Sequence, residues 1–121
     1  MVRLEKLNIW NESMTLVEQI YDITKNFPSE EKFGIVSQMR RCAVSIPSNI
    51  AEGAGRNGKG EFRHFLSIAN GSTYELQTQI ELSKRLGLIP NQIAPELLDK
   101  VDKIQKMNFN LQKRINQTVI A

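Results

Sequence analysis

The sequence predicts an all-α protein, an antiparallel up-down-up-down four-helix bundle. Apolar residues recur at steps of three and four in four separate segments, the signature of helices with a buried stripe. No segment alternates with period two over a strand length. Clusters of breakers around Pro28, Gly53–Gly60 and Gly87–Pro90 divide the segments with short links, which favour antiparallel neighbours.

The first helix is expected over about residues 8–26. Leu7, Trp10, Met14, Val17, Tyr21 and Thr24 form one seam, and Leu16, Ile20, Ile23 and Phe27 form a second stripe beside it. Two stripes make a wide apolar surface, which points to a further neighbour beyond the bundle, a second subunit. Pro28 disfavours helix at Phe27. Ser29 reads as an N-cap, with Glu30 and Glu31 placing negative charge in the first turn of the second helix. That helix should run to the glycines at 53–55, its seam being Val36, Met39, Ala43, Ile46, Ile50 and Gly53. Pro47 interrupts it, but Ile46 and Ile50 keep phase with Ala43. The expectation is therefore a continuous helix kinked near Pro47.

Residues 53–60, with four glycines in eight positions, read as a flexible connection. The third helix follows over about 61–86, with Phe62, Phe65, Leu66, Ala69, Ser72, Thr73, Leu76, Ile80 and Ser83 on its seam. Ala69, Gly71 and Ser72 are small and suggest close approach of another helix. Gly87 suits the position just past a helix end. Asn91 is a plausible N-cap for the fourth helix, and Pro95 is tolerated in its first turn. Its seam is Leu97, Val101, Ile104, Asn108, Leu111 and Ile115, ending near Gln117.

The 121 residues suit one domain spanning 1–121. There is one cysteine, Cys42, and one histidine, His64. A disulfide scaffold and a structural zinc site both need more. No metal, cofactor or catalytic residue is expected. The start lacks a secretory apolar region and no run is long enough to span a membrane, so a cytoplasmic protein is expected.

Residues 53–58 spell G-x-G-x-x-G, and Lys59 nearly completes a phosphate-binding P-loop. The first motif needs a preceding strand and the second a hydroxyl after the lysine; neither is present. A helix-linking turn is the better reading. Glu61 and His64 share a helical face, but two ligands are a weak metal or acid–base signal, and a surface role is favoured. Cys42 reads as a small buried hydrophobe.

Charge is uneven. Residues 1–31 hold three basic and six acidic side chains, whereas 103–121 hold Lys103, Lys106, Lys113 and Arg114 and no acid. Arg40, Arg41, Arg56, Lys59 and Arg63 against Glu52 and Glu61 form a second basic cluster. Such patches pair between subunits or meet phosphate backbones, and a solvated helix face is the plain alternative. No aromatic ring lies in the basic loop, so base-specific readout is not indicated. Asn49 and Glu52 are expected in a structural polar network, with Asn108 on the fourth seam.

The run Gln38-Met-Arg-Arg-Cys-Ala-Val-Ser-Ile-Pro-Ser-Asn-Ile-Ala-Glu-Gly-Ala-Gly-Arg56 resembles the central motif of the bacterial four-helix-bundle family also labelled 23S rRNA intervening-sequence protein, or loosely a ribosomal protein. The likeness extends to Ile20-Tyr21, Phe27-Pro28, Glu31-Lys-Phe-Gly34, Phe65-Leu66-Ser-Ile-Ala69, Gly71-Ser72 and Glu75-Leu76, over roughly 5–90. Cys42 departs from the alanine usual there. The resemblance implies a homopentameric ring, as in the similar accessory variability protein of diversity-generating retroelements, whose basic surface serves reverse transcriptase and nucleic acid. It marks Arg40, Arg41, Pro47, Asn49, Glu52 and Arg56, and brings no catalytic residue.

The expected function is thus a non-enzymatic, homo-oligomeric bundle binding nucleic acid, RNA foremost, through Arg40, Arg41, Arg56, Lys59, Arg63, Lys103, Lys106, Lys113 and Arg114. The alternative is an interaction scaffold for an acidic protein partner. An enzyme would need Glu52, Glu61 or His64 in one pocket.

Overall fold

The computed structural model describes residues 2–118. It contains four long helices: α1 (Asn8–Thr24), α2 (Ile35–Ala54), α3 (Lys59–Arg85) and α4 (Ala94–Thr118). Each packs on the next, and α4 returns against α1 to close the bundle. No strand occurs among the described residues.

In α1 the core face is Ile9, Ser13, Leu16, Ile20 and Thr24. This corrects the assignment of its two stripes. The Leu16–Ile20 stripe faces the core, while Met14 and Tyr21 are exposed. Both stripes are apolar, so periodicity does not tell them apart. Ser13 and Thr24 are tolerated inside because their hydroxyls donate to the carbonyls of Ile9 and Ile20, both at 2.7 Å.

The second helix starts later than expected. Ser29–Glu31 forms a 3₁₀ turn instead of capping α2. Successive i to i+3 bonds, Glu31 N–H to Pro28 O and Gly34 N–H to Glu31 O, wind the chain tightly. Gly34 then leaves helical geometry at ψ −114° before α2 begins. From there the seam is as expected: Val36, Met39, Ala43, Ile46, Ile50 and Gly53 are all buried. The helix runs unbroken through Pro47, which is itself buried. The loss of the donor to the Ala43 carbonyl is offset by the core contacts on either side.

Gly53 is a helix–helix contact and not part of the connection. A Cβ there would lie 2.8 Å from Phe65 Cβ and 3.1 Å from Phe62 Cδ1. The link shrinks to Gly55–Gly58, and α3 starts at Lys59. Gly71, by contrast, is exposed and a Cβ there would meet nothing. The close approach expected at the small residues of α3 falls on Ala69, which is fully buried, and on Ser72, which meets Ser45 at 2.9 Å and the Cys42 thiol at 3.1 Å; a second one occurs at Gly53.

Gly87 ends α3 with φ +76°, a conformation open mainly to glycine. Leu88 N–H bonds Ser83 O at 2.8 Å and Gly87 N–H bonds Lys84 O at 3.0 Å, the paired bonds of a Schellman cap. Asn91 lies in the turn that follows and does not cap α4, which begins at Ala94 with Pro95 in its first turn. On α4, Leu97, Val101, Ile104, Asn108 and Ile115 are buried as expected and Leu111 is half-buried.

Contacts run in opposite order along neighbours. On α2 and α3, Met39 meets Ser83, Ser45 meets Ser72, and Gly53 meets Phe62. On α3 and α4, Leu66 meets Asn108 and Gln77 meets Gln105. The ends of α2 and α4 therefore gather where α1 and α3 begin.

Gly53→Ala is expected to destabilise the fold by about 1–3 kcal/mol through overpacking. Gly71→Ala should stabilise it by about 0.5–1 kcal/mol through helix propensity. Urea denaturation of the two variants checks both signs.

Candidate nucleic-acid interface

The basic residues fall into groups that their helices dictate. Arg56 leaves the end of α2, and Lys59 and Arg63 begin α3. Lys113 and Arg114 lie near the end of α4, brought alongside by a hydrogen bond from Arg63 to the Asn116 side chain. Lys6, Leu7, Met107 and Arg114 line one open pocket, which adds the chain's start to the same end. Arg56 is paired with Glu52 at 2.9 Å, and its guanidinium lies 5.1 Å from the Phe65 ring centre. Lys59 and Arg114 are exposed and form no ion pair among the described residues. Lys113 is also without an ion pair there, its amine 5.5 Å from the Phe109 ring centre.

The other α4 cations are engaged. Glu12 of α1 accepts from Lys100 at 2.7 Å and from Lys103 at 2.8 Å. These bonds hold its carboxyl below its ordinary value of 4.5. Pairing between subunits was one of the readings the sequence left open for its acidic start and basic α4; this pair closes within one chain. Lys106 meets Asp102 one turn away at 2.9 Å.

Arg40 and Arg41 stand apart from the α2–α3 end. Arg40 is half-buried, with Nε on Thr24 Oγ1 at 2.9 Å, Nη2 on the Tyr21 carbonyl at 3.3 Å, and its plane over the Tyr21 ring at 4.5 Å. It ties α1 to α2. Arg41 is exposed.

Asn49 and Glu52 serve different contacts. Asn49 donates to the Ser45 carbonyl at 2.8 Å and hydroxyl at 3.0 Å, and Ser45 meets Ser72 of α3 at 2.9 Å. Glu52 is occupied by Arg56 on the surface. Asn108 donates to the Leu66 carbonyl at 2.9 Å and accepts from Gln112 at 2.6 Å. Cys42 is buried, its thiol 3.1 Å from the Ser72 carbonyl. Burial, and after it the Glu75 carboxylate, push the thiol up to about 12, so it stays protonated. Glu61 and His64 are both exposed. Among the described residues no group of three or more His, Cys, Asp or Glu is placed to hold a metal. Nor is any of the helices long and apolar enough to cross a membrane.

Four helices around one apolar core, with unpaired cations at one end, define the class: a small helical bundle with a basic pole. The chain belongs to the 23S rRNA-intervening sequence protein family, whose model matches residues 5–110. Among solved structures it is similar to a protein of unknown function from the S23 ribosomal protein family of Bacteroides thetaiotaomicron VPI-5482. The two share 24% identity at a TM-score of 0.81, covering 87% of this chain and 95% of that one. At that identity the likeness speaks for the fold. No curated protein matches the chain.

Glu12→Gln should cost about 1 kcal/mol at neutral pH. Because the folded carboxyl titrates below its unfolded value of 4.5, this advantage is present above that pH and is lost as pH falls through the folded value. Wild type and variant should therefore converge in acid, as denaturant midpoints across pH would read. Cys42 should react slowly with a disulfide reagent when native and at once in urea.

Proposed function

We propose that the chain is a non-enzymatic, self-associating helical bundle that binds nucleic acid, RNA foremost, through phosphate contacts at the α2–α3 end. The observation that carries this reading is the convergence of Lys59, Lys113 and Arg114, exposed and without an ion pair among the described residues, with Arg56 and Arg63 at that one end. Two chain segments far apart in sequence, residues 56–63 and 113–114, supply them; of the acids nearby, Glu52 is occupied by Arg56 and Glu5 by Arg3, and Glu61 is exposed without an ion pair among the described residues. A cluster of this kind gathers phosphates by releasing their counterions, with little sequence preference.

Self-association is supported by apolar side chains left on the outside. Met14 and Tyr21 extend from α1, and Tyr74, Leu82, Leu86 and Phe109 from α3 and α4; Phe109 is 65% exposed. A ring of five is the arrangement that the family resemblance suggests. The same outer side chains also serve a second reading, a scaffold for an acidic protein partner, the groove holding Tyr74 and Leu82 being lined by Arg85 together with Glu81. Recovery of one protein after nuclease treatment, without nucleic-acid binding in vitro, would favour it.

Fluorescence anisotropy of a labelled RNA 20-mer across a salt series tests the leading reading. Affinity should fall linearly on a log–log salt plot. Lys59→Ala with Arg114→Ala should flatten the slope by about 2 and weaken binding at every sequence tried. No binding at micromolar protein in low salt would overturn the reading. Light scattering should return a multiple of the 13.8 kDa chain mass, and a monomer mass would remove self-association.

A further inference from the structure

Where α1 ends and α2 begins, an open pocket of about 400 Å³ is lined by Tyr21, Lys32, Phe33, Val36, Ser37, Arg40 and Arg41. That volume is in the range of small-ligand sites. Two rings, two hydroxyls and three cations line it, and no acid does. A single exposed aromatic is ordinary on a protein surface. Here Phe33 is 90% exposed on a short 3₁₀-to-helix connection, beside the whole set of cations. Lys32 Nζ lies 5.5 Å from the Phe33 ring centre.

Arg40 is held before any ligand arrives. The Tyr21 ring lies beneath it and two of its nitrogens are bonded to α1, while its other N–H groups make no hydrogen bond among the described residues. Little side-chain freedom is left to lose on binding. Arg41, one residue on, is exposed and has no ion pair among the described residues.

We propose that this pocket binds an unpaired nucleotide of single-stranded nucleic acid, its base stacked on Phe33 and its phosphate on Arg41, Lys32 and Arg40. The proposal rests on the nucleic-acid reading above and adds a site distinct from the α2–α3 end. A free aromatic face gains from a base only when that base is unstacked, so a duplex cannot use it. Cations without a ring would serve duplex and single strand alike. The combination selects the single strand. The sequence did not disclose it, because Tyr21 reaches Arg40 only through the packing of α1 on α2.

The test uses the full chain and a 12-nucleotide RNA with one central 2-aminopurine, presented single-stranded and as a duplex. Anisotropy reads affinity, and 2-aminopurine quenching reads stacking. Phe33→Ala should abolish the quenching and weaken single-strand binding about tenfold, leaving duplex binding unchanged. Phe33→Trp should restore the quenching. Because Phe33 is so exposed, neither variant endangers the fold. If Phe33→Ala binds and quenches the single strand as wild type does, the pocket proposal falls while the nucleic-acid reading stands. If wild type binds neither RNA, both fall. If Phe33→Ala instead lowers the mass seen by light scattering, Phe33 is a subunit contact and the pocket proposal is overturned.

Discussion

At Gly53 the backbone of α2 lies directly against Phe62 and Phe65 of α3, with no side chain between them. Only hydrogen fits there, because a β-carbon would come within 2.8 Å of Phe65 Cβ. This contact sets how close the two helices come at the end where they are joined. The pair then stays in register along its length, through Ser45 on Ser72, Cys42 on the Ser72 carbonyl and Met39 on Ser83. The same approach carries Arg56 over the Phe65 ring and puts Lys59 and Arg63 at the pole. Packing and surface chemistry thus share one cause.

The polar groups inside the bundle act differently from its apolar stripes. Apolar side chains pack in several registers at similar cost, whereas a buried amide must find its partner. Asn108 finds the Leu66 carbonyl and, through Gln112, satisfies its own oxygen. A slip of α4 along α3 would strand the Asn108 amide N–H, while the bond from Gln112 lies within α4 and moves with it. Ser13 and Thr73 are satisfied within their own helices and impose no such register, whereas Thr24 also accepts from Arg40 of α2. The core therefore draws its stability from aliphatic burial and its alignment from one or two amides.

Surface charge is divided by the same geometry. Lys100 and Lys103 share the single carboxylate of Glu12, Lys106 pairs with Asp102 and Arg56 with Glu52. Among the described residues, cations without an ion pair gather at the α2–α3 end and around Arg41 and Lys32, while Lys25, Lys84 and Arg85 lie unpaired elsewhere. A modest net charge of +3 therefore understates the local potential at either place.

The sequence by itself determined the helical class, the four segments and most of their core faces. Val36 to Gly53 on α2 and Leu97 to Ile115 on α4 were legible because apolar spacing there follows one stripe. It also determined Gly87 as a helix end, because only glycine enters the required conformation cheaply. It did not determine which stripe of α1 is inside, since two apolar stripes look alike until a neighbour covers one. The start of α2, the role of Gly53 and the solvent-facing place of Gly71 were likewise decided by tertiary structure. A glycine in a chain announces freedom, and only its surroundings say whether that freedom is used for a turn or for a close contact. The site divides the same way. Which residues are basic is a property of the sequence; which of them are free is not. Glu12 and Lys100 are 88 positions apart, and only the folding of α1 against α4 turns them into a pair.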